Sequence, residues 1–457
     1  MTLDRGVRDL VCVGFGPAGI ALAAAIDDAQ ERGDPAGDLE SLFLDRARDS
    51  AWQPNMLLPG TDIQHHFLRD FATPRDPRSR FTFANYLKEN GRLFPFCLFG
   101  SRVSRVEWSD YVQWVARRVR VPVAYRHEVT AVEPVSENGS VTTLRVAVRD
   151  VDRDLATQVL TRNVVVATGY VPHVPRELRG SLGPTVFHSH DFLARISRFR
   201  PEESPSFAVV GAGQNAGEIL LYLIDRFPDS AIHSVVRNSG FRLYDLGHFS
   251  NQVYFPEETD YVYGLSKDER ARVFEETRLT NYSSIDADVS EALYLRAYEE
   301  RLLGRDRIHM LRRTGVTGIR PAEGRHRLLL EDVHTHRAAT VDVDAVVLCT
   351  GFTEPRCPRL VSPLLPYLRT DADGDLEISR YYRVAAKPRF RAGIYLNGIT
   401  EWVHGISNAT SFSMMALKAQ EILDDVHRHR SAAPPEPVEA LVGSGFSERK
   451  REESDAR

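Results

Sequence analysis

The stretch Asp9-Leu-Val-Cys-Val-Gly-Phe-Gly-Pro-Ala-Gly-Ile-Ala-Leu-Ala23 decides the fold. It predicts an apolar strand, a turn that contains Gly14, Gly16 and Gly19, and a helix, which together form a unit that binds dinucleotides. Gly14 permits the tight turn, Gly16 lets the backbone approach a pyrophosphate, and Gly19 lets the helix pack on the strand. The next apolar strand ends at Asp45, whose carboxylate can accept hydrogen bonds from the ribose hydroxyls of the adenosine half.

The same pattern occurs a second time, in Phe207-Ala-Val-Val-Gly-Ala-Gly-Gln-Asn-Ala-Gly-Glu-Ile-Leu220. Its turn contains Gly211 and Gly213, and Gln214 and Asn215 open the following helix. The strand that comes next is followed by basic residues instead of a carboxylate. A guanidinium there can pair with the 2′-phosphate of NADP, so we expect NADPH to be preferred over NADH. The candidates for this contact are Arg237 and Arg242.

Two dinucleotide sites in one chain indicate that hydride passes from a nicotinamide to a flavin. We therefore assign FAD to the first turn and NADPH to the second. A disulfide reductase of similar layout would carry a pair of redox-active cysteines close in sequence. The four cysteines form no Cys-x-x-Cys pair; they are Cys12, Cys97, Cys349 and Cys357. Molecular oxygen is then the remaining common electron acceptor.

The composition is that of a globular protein without a polyanionic partner. A chain of 457 residues predicts about two to four domains. The net charge is -5, from 58 basic and 63 acidic residues, and we expect no nucleic-acid partner. The apolar runs are too short to span a membrane and no apolar leader is visible, so we expect a cytoplasmic protein with free thiols. The adjacent His65 and His66 lack a third ligand, and no metal site is expected.

These patterns predict an α/β protein with two Rossmann-like dinucleotide-binding domains, for FAD and NADPH, plus a small helical substrate region. Two further strands, which end in Thr168-Gly-Tyr and Thr350-Gly-Phe, return the chain to a sheet. Ser266-Lys-Asp-Glu269 is typical of a capped helix start. We expect the FAD-binding domain at 1–203 and 345–432, the NADPH-binding domain at 204–255 and 306–344, the helical region at 256–305, and a disordered tail at 433–457.

A more specific block follows the first dinucleotide unit: Asp62-Ile-Gln-His-His-Phe-Leu-Arg-Asp-Phe-Ala-Thr-Pro-Arg-Asp76. Together with Thr280-Asn-Tyr-Ser283 and His404-Gly-Ile-Ser407, it resembles the flavin-dependent N-hydroxylating monooxygenases. Enzymes of this family act on the side-chain amines of ornithine and lysine in siderophore biosynthesis. The resemblance runs from about residue 9 to about residue 423.

The resemblance implies roles for four polar residues. Gln64 matches a glutamine near the flavin, and Arg69 matches a lysine that binds the substrate carboxylate. Arginine can take that place, because its planar guanidinium binds a carboxylate through two hydrogen bonds. Asn251 matches an asparagine at the amino-acid head, and Asn281 matches one that contacts the substrate backbone and the nicotinamide side.

The chain departs from the family near its C-terminus. The family has a serine beside substrate and flavin eight places after the histidine of the His-Gly motif. Here that place holds Phe412, with Ser411 and Ser413 on either side. Either a one-residue shift restores a serine, for which we take Ser413, or the amine pocket differs. Substrate identity is therefore the open question.

The resemblance implies that NADPH reduces FAD and that a flavin hydroperoxide, formed with O2, transfers oxygen to an unprotonated primary amine. No protein acid–base triad is then needed, because the flavin carries the reactivity. L-Ornithine is the expected substrate; L-lysine, a diamine such as putrescine, or a ketone- or sulfur-oxidising activity are the alternatives. Dimers or tetramers are usual for such enzymes, so a homo-oligomer is expected.

Overall fold

The computed structural model describes residues 6–98, 102–409 and 411–431. The tail expected at 433–457 lies outside these residues. The helices are α1 (Pro17–Glu31), α2 (Phe83–Glu89), α3 (Leu93–Cys97), α4 (Arg105–Arg118), α5 (Phe192–Ile196), α6 (Gln214–Arg226), α7 (Pro256–Tyr263), α8 (Lys267–Thr277), α9 (Ala287–Leu302), α10 (Glu401–His404) and α11 (Met415–Ser431).

The strands of the described residues are, in chain order, β1 (Val7–Val13), β2 (Ser41–Asp45), β3 (Val123–Tyr125), β4 (His127–Glu137), β5 (Ser140–Asp150), β6 (Leu155–Val166), β7 (Val171–Pro172), β8 (Val186–His188), β9 (Phe207–Val210), β10 (Ile232–Val236), β11 (Ile308–Arg312), β12 (Thr314–Ala322), β13 (Arg325–Asp332), β14 (Ala338–Val343), β15 (Ala345–Leu348), β16 (Phe352–Thr353) and β17 (Gly393–Leu396).

The first sheet has the order β3-β2-β1-β6-β5-β4, and β17 also pairs with β6. Parallel pairs join β1, β2, β3, β6 and β17, whereas β4, β5 and the first half of β6 form an antiparallel meander. The residues of β1 from Arg8 to Val13 are all buried, as expected for a parallel strand that is covered on both faces. The two ends of the chain meet in this sheet, since β17 belongs to the C-terminal part.

The second sheet is parallel and has the order β11-β10-β9-β15-β8. It therefore contains Val186–His188 and Ala345–Leu348, although the boundaries expected from the sequence put both strands in the first domain. Parallel neighbours must be joined by a crossover, usually a helix. Helix α9 is the crossover between β10 and β11 and packs on α6, so it belongs with this sheet and not with the helical region expected at 256–305.

Two smaller sheets complete the described strands. β12, β13 and β14 form an antiparallel sheet beside the second sheet. β7 and β16 form a two-stranded antiparallel connection, and they lie where the chain passes from the first sheet to the second and back. The two dinucleotide domains are thus linked by a pair of short strands.

Helices α7 and α8 form the helical region. Ser266 caps α8 in a capping box with Glu269, which confirms the helix start predicted from the sequence. Helix α7 packs against α10 and the following turn, where Asn408 Nδ2 donates to Thr259 Oγ1 at 2.9 Å. The helical region is thereby held against the C-terminal part of the first domain. Among the described residues, no helix has both the length and the apolar character needed to cross a membrane.

Candidate active site

On one side of the first glycine-rich turn, no side chain of the described residues covers the backbone. Gly14 has φ +103°, and a Cβ there would lie 2.4 Å from the carbonyl oxygen of Ala167. A Cβ at Gly19 would lie 2.3 Å from the carbonyl oxygen of Gly14, because α1 packs directly on the turn. At Gly16, by contrast, a Cβ would meet nothing within 4 Å. This open space is where a pyrophosphate can approach the backbone.

Helix α1 begins directly after this turn and is suited to an anion. Its first turn has no side-chain cap and no acidic residue, so its backbone N–H groups are free to bind phosphate. Asp45 at the end of β2 accepts hydrogen bonds from Phe15 N at 2.5 Å and from Ala47 N at 2.7 Å. These bonds hold the carboxylate beside the turn. The residues present therefore fit the adenosine half and pyrophosphate of FAD.

The second turn has the same construction. Gly211 has φ +141°, and a Cβ there would lie 2.1 Å from the carbonyl oxygen of Cys349. A Cβ at Gly213 would meet nothing within 4 Å, and α6, which begins at Gln214, again has no side-chain cap and no acidic residue in its first turn. A second dinucleotide fits here by the same physical argument.

A large cleft opens from the second turn. Its cavity volume is about 1670 Å³, and Gly211, Gly213, Arg237 and Arg242 all line it. The two arginines are exposed, as a contact to a 2′-phosphate requires. Arg278, which we did not select from the sequence, lines the same cleft. It comes just before the Thr-Asn-Tyr-Ser motif, and only the fold brings it into the same cleft as the arginines that follow β10.

A smaller cavity of about 180 Å³ lies between the first domain, α6 and the helical region. It brings together most of the polar residues selected from the sequence: Gln64, Arg69, Gln214, Asn215, Asn251 and Asn281. These residues come from four separate stretches of the chain. Ser413 does not line this cavity, whereas Ser411 and Phe412 do. We call this cavity the polar pocket.

Arg69 is held in the polar pocket by two contacts. Its Nη1 donates to Ser413 Oγ at 3.0 Å, and its guanidinium carbon lies 5.5 Å from the centre of the Tyr254 ring. Ser411 Oγ and Ser413 Oγ are 2.8 Å apart and share a hydrogen bond. Ser413 therefore contacts Arg69 but does not itself line the cavity. Burial lowers the pKa of Arg69, but the arginine remains a cation at neutral pH.

Phe412 belongs to an aromatic cluster. It is 3% exposed and stacks on His65, with ring centres 5.0 Å apart and planes 14° apart. Trp108 makes edge contacts with both rings, and Trp52 with Phe412. Burial, helped by the positive charge of Arg69, lowers the pKa of His65 to about 3, so the imidazole is neutral. One wall of the polar pocket is thus aromatic and uncharged where the family has a serine.

Gln64 is tied to the second domain through a chain of hydrogen bonds. Its Nε2 donates to Asp286 Oδ2 at 3.3 Å, and the backbone N of Asp286 donates to Gln214 Oε1 at 2.8 Å. Gln214 Nε2 donates to Glu218, which forms a two-pronged salt bridge with Arg105 at 2.7 and 2.8 Å. Arg105 and Glu218 are 6% and 2% exposed, so this buried pair joins the two domains beside the polar pocket.

Asn251 and Asn281 both line the polar pocket. Asn251 Nδ2 donates to Gly247 O at 3.3 Å, and Asn281 follows the short helix that ends at Thr280.

Within the part of the chain that the structure describes, no group of three or more histidine, cysteine, aspartate or glutamate side chains could hold a metal ion. His65 takes part in ring stacking instead.

Comparisons with known proteins agree with this geometry. The L-ornithine N(5)-monooxygenase of Pseudomonas aeruginosa is 34% identical over 433 residues, which cover 94% of this chain and 95% of that protein. A Kutzneria sp. 744 ornithine N-hydroxylase, solved with reduced FAD, NADP+ and L-ornithine, superposes with a TM-score of 0.88 at 33% identity and covers 93% of this chain and 100% of its own.

A third protein is more similar in sequence. An L-lysine 6-monooxygenase from Pseudomonas syringae has a TM-score of 0.84 and 42% identity, and covers 92% of this chain and 99% of its own. The family model described as L-lysine 6-monooxygenase/L-ornithine 5-monooxygenase matches residues 6–354. The two glycine turns, the polar pocket and this match lead to one conclusion: the chain belongs to the L-lysine 6-monooxygenase/L-ornithine 5-monooxygenase family.

Proposed function

We propose that the protein N-hydroxylates the terminal primary amine of an amino acid, with L-ornithine as the substrate, and that it uses FAD, NADPH and O2. The observation that carries this proposal is the polar pocket, where Arg69, Asn251 and Asn281 meet beside Gln64. A cation and two amides in one small cavity are suited to the carboxylate and amino group of an amino-acid head. A simple diamine would leave the Arg69 charge without a partner.

The cofactors have separate places in this proposal. Gly14, Gly16 and Asp45 would hold FAD. Gly211 and Gly213 would hold NADPH, and Arg237 and Arg242 would bind its 2′-phosphate. When bound, the flavin reduced by NADPH supplies the activated oxygen. The protein itself must bind the head group, orient the amine and exclude water.

The aromatic wall favours the neutral amine that the reaction needs. A lysine-type ammonium has a pKa of about 10.4 in water, and desolvation lowers the pKa of an amine. Phe412, Trp52 and the neutral imidazole of His65 form an uncharged surface beside Arg69. Arg69 disfavours a second positive charge nearby. Both effects shift the bound substrate toward its free amine.

L-Lysine is the second candidate. The specific observation in its favour is the 42% identity with the lysine 6-monooxygenase, compared with 33% for the Kutzneria ornithine N-hydroxylase. The change at Phe412 also lies in the wall where the end of the side chain would fit. The carboxylate contact at Arg69 is the same for both amino acids, so it does not distinguish them.

An amine panel tests the proposal. NADPH oxidation by the FAD-loaded enzyme is measured with ornithine, lysine, putrescine and cadaverine, and hydroxylamine and hydrogen peroxide are both quantified. We expect hydroxylamine in proportion to NADPH with ornithine, and less with lysine. The reverse order would make lysine the substrate. Peroxide alone with every amine would contradict N-hydroxylation and favour an oxidase.

We also propose that the enzyme is a cytoplasmic homo-oligomer, either a dimer or a tetramer. Helix α9 packs one face on α6 and exposes Tyr294, Tyr298 and Leu302, which follow one another at helical spacing and are 75%, 52% and 69% exposed. A second copy is a suitable cover for this apolar stripe. All four cysteines are free, as expected in a reducing compartment. Sedimentation of the wild type and of Tyr298→Glu tests the association.

A further inference from the structure

A buried carboxylate at the large cleft connects three parts of the molecule. Glu401 is 6% exposed, and its Oε2 accepts hydrogen bonds from Tyr170 OH at 2.7 Å and from Tyr282 OH at 2.6 Å. Tyr170 lies between β6 and β7, where the chain leaves the first sheet, and Tyr282 lies in the turn between α8 and α9. Glu401 itself opens α10 in the C-terminal part of the first domain.

A second carboxylate holds Glu401 in place. Glu354 follows β16 in the connection between the domains, and its oxygens accept from Glu401 N at 2.7 Å and from Trp402 N at 3.3 Å. These are N–H groups of the first turn of α10, which has no partner within the helix for them. The backbone of Glu401 is thereby tied to the domain connection, while its side chain reaches the helical region.

The position of Tyr282 makes this contact relevant to the reaction. Asn281, the residue before it, lines the polar pocket, whereas Tyr282 and Glu401 line the large cleft. The backbone hydrogen bonds of the segment that carries both residues run within the segment, as from Asn281 N and Tyr282 N to Arg278 O, or to residues 242–245 after β10. The bond from Tyr282 OH to Glu401 is therefore a separate link from this segment to the first domain. The distance from Asn281 to the bound head group therefore depends on how firmly Tyr282 is held.

The ionisation of Glu401 falls in the physiological pH range. Burial raises the pKa of Glu401 to about 7, although the two tyrosine hydroxyls and Lys418 oppose the shift. Burial and the nearby Glu401 raise the pKa of Glu354 to about 8. The titratable and charged groups that interact with the pair are Tyr170, Tyr282, Tyr254 and Lys418. Lys418 in turn interacts with His404 and Glu421.

We infer that Glu401 is a positioning residue, which in its ionised form holds Tyr282 and thereby sets Asn281 at the substrate head group. Hydrogen bonds to an ionised acceptor are roughly twice as strong as neutral ones. Protonation of Glu401 therefore loosens the Asn281–Tyr282 segment without breaking it. This inference rests on the proposed function, because it assumes that the polar pocket binds the substrate.

The matching experiment compares Glu401→Gln with the wild type across pH. Glutamine has the shape of a protonated glutamate and keeps an acceptor for the tyrosines, so it mimics the low-pH state at every pH. At pH 8.5 we expect the KM for ornithine to rise about tenfold and the yield of hydroxylamine per NADPH to fall. The KM of Glu401→Gln divided by the wild-type KM should decline toward one between pH 8 and pH 6, because the wild-type carboxylate takes up its proton over this range. Ionisation of the substrate amine cancels in this ratio.

A binding measurement removes the dependence on turnover. The rise in melting temperature that ornithine causes, measured on the FAD-loaded enzyme without NADPH, should be smaller for Glu401→Gln than for the wild type at pH 8.5 and equal at pH 6. Tyr282→Phe should reproduce this smaller rise in melting temperature. In the double variant, the rise that ornithine causes should be no smaller than in either single variant. Tyr282→Phe also decides the matter if Glu401→Gln does not fold.

Tyr395→Phe is the matched control. Tyr395 OH donates to Asp425 Oδ2 at 2.9 Å, both residues are buried, and neither lines either cavity. This variant loses the same type of bond and should leave the KM for ornithine unchanged. A KM ratio for Glu401→Gln near one at every pH would overturn the inference while the proposed function stands. Wild-type enzyme that makes no hydroxylamine from any amine would overturn the proposed function itself.

Discussion

The guanidinium of Arg69 donates a hydrogen bond to the hydroxyl of Ser413 at 3.0 Å, across 344 positions of sequence. This contact fixes one edge of the guanidinium and leaves the rest of it to the polar pocket. Ser413, one place after Phe412, therefore supports the residue that we propose as the carboxylate contact.

Replacing Arg69 tests the head-group contact. A charge-assisted hydrogen bond contributes about 1.5–3 kcal/mol, so Arg69→Ala should raise the KM for ornithine by about 10- to 150-fold. Reduction of the flavin by NADPH in stopped flow should stay close to the wild-type rate. Arg69→Lys is the control, because it keeps the charge. An unchanged KM in Arg69→Ala would make Arg69 a structural residue and a diamine the better substrate.

Phe412→Ser restores the family's residue type and removes the partner of His65. Truncation of a buried phenylalanine costs about 3–5 kcal/mol, so the melting temperature should fall. We expect the ratio of kcat/KM for lysine to kcat/KM for ornithine to change more than twofold, since the pocket gains volume on its aromatic side. Phe412→Leu keeps most of the volume and serves as the control. Equal ratios in all three proteins would show that this wall does not select the substrate.

Two glycines of the first turn should respond differently to alanine. Gly14→Ala should prevent correct folding, because its Cβ would lie 2.4 Å from the Ala167 oxygen at φ +103°. Gly16→Ala places its Cβ in open space, so the apoprotein should keep its melting temperature while FAD affinity falls at least tenfold. FAD content after purification and calorimetric titration of the apoprotein measure both effects. Normal FAD affinity in Gly16→Ala would contradict the assigned pyrophosphate position.

Arg237→Ala tests the cofactor preference. Loss of a guanidinium–phosphate pair should raise the KM for NADPH about tenfold or more. The KM for NADH should hardly change, since NADH lacks the 2′-phosphate. Steady-state kinetics with both cofactors give the comparison, and Arg242→Ala and Arg278→Ala show how the three cleft arginines share the contact. A parallel rise for NADH would indicate loss of folding or of the cleft's shape instead.

Breaking the buried salt bridge between Arg105 and Glu218, which joins the two domains, should lower the stability of the protein. Removing one partner of a buried salt bridge costs about 3–5 kcal/mol because the other charge stays unpaired, so Glu218→Gln should lower the midpoint of urea unfolding clearly. The exposed pair of Arg149 and Glu128, 2.6 Å apart at the surface, is the control. Glu128→Gln should change stability by less than about 1 kcal/mol. Similar losses in both variants would rule out a special role for the interdomain pair.

The parts that the sequence predicted correctly depend on local patterns. Each glycine turn requires a strand, three small residues and a helix within about fifteen residues, and the capping box at Ser266 requires only four. The pairing of β8 and β15 with the second sheet was missed, because a short apolar strand can join either sheet and its partner lies far away in sequence. The resemblance to the family supplied Gln64, Arg69, Asn251 and Asn281, but not their arrangement.

The sequence by itself determined the two dinucleotide turns, the residue types that follow their second strands, and the family to which the chain belongs. Only the tertiary structure decided that Ser413 supports Arg69, that Phe412 stacks on His65, and that Tyr170 and Tyr282 meet on Glu401. The physical reason is the sequence separation over which each feature is determined. Backbone conformation follows from neighbouring residues. Contacts between buried side chains depend on how distant elements pack, and these contacts shape the polar pocket.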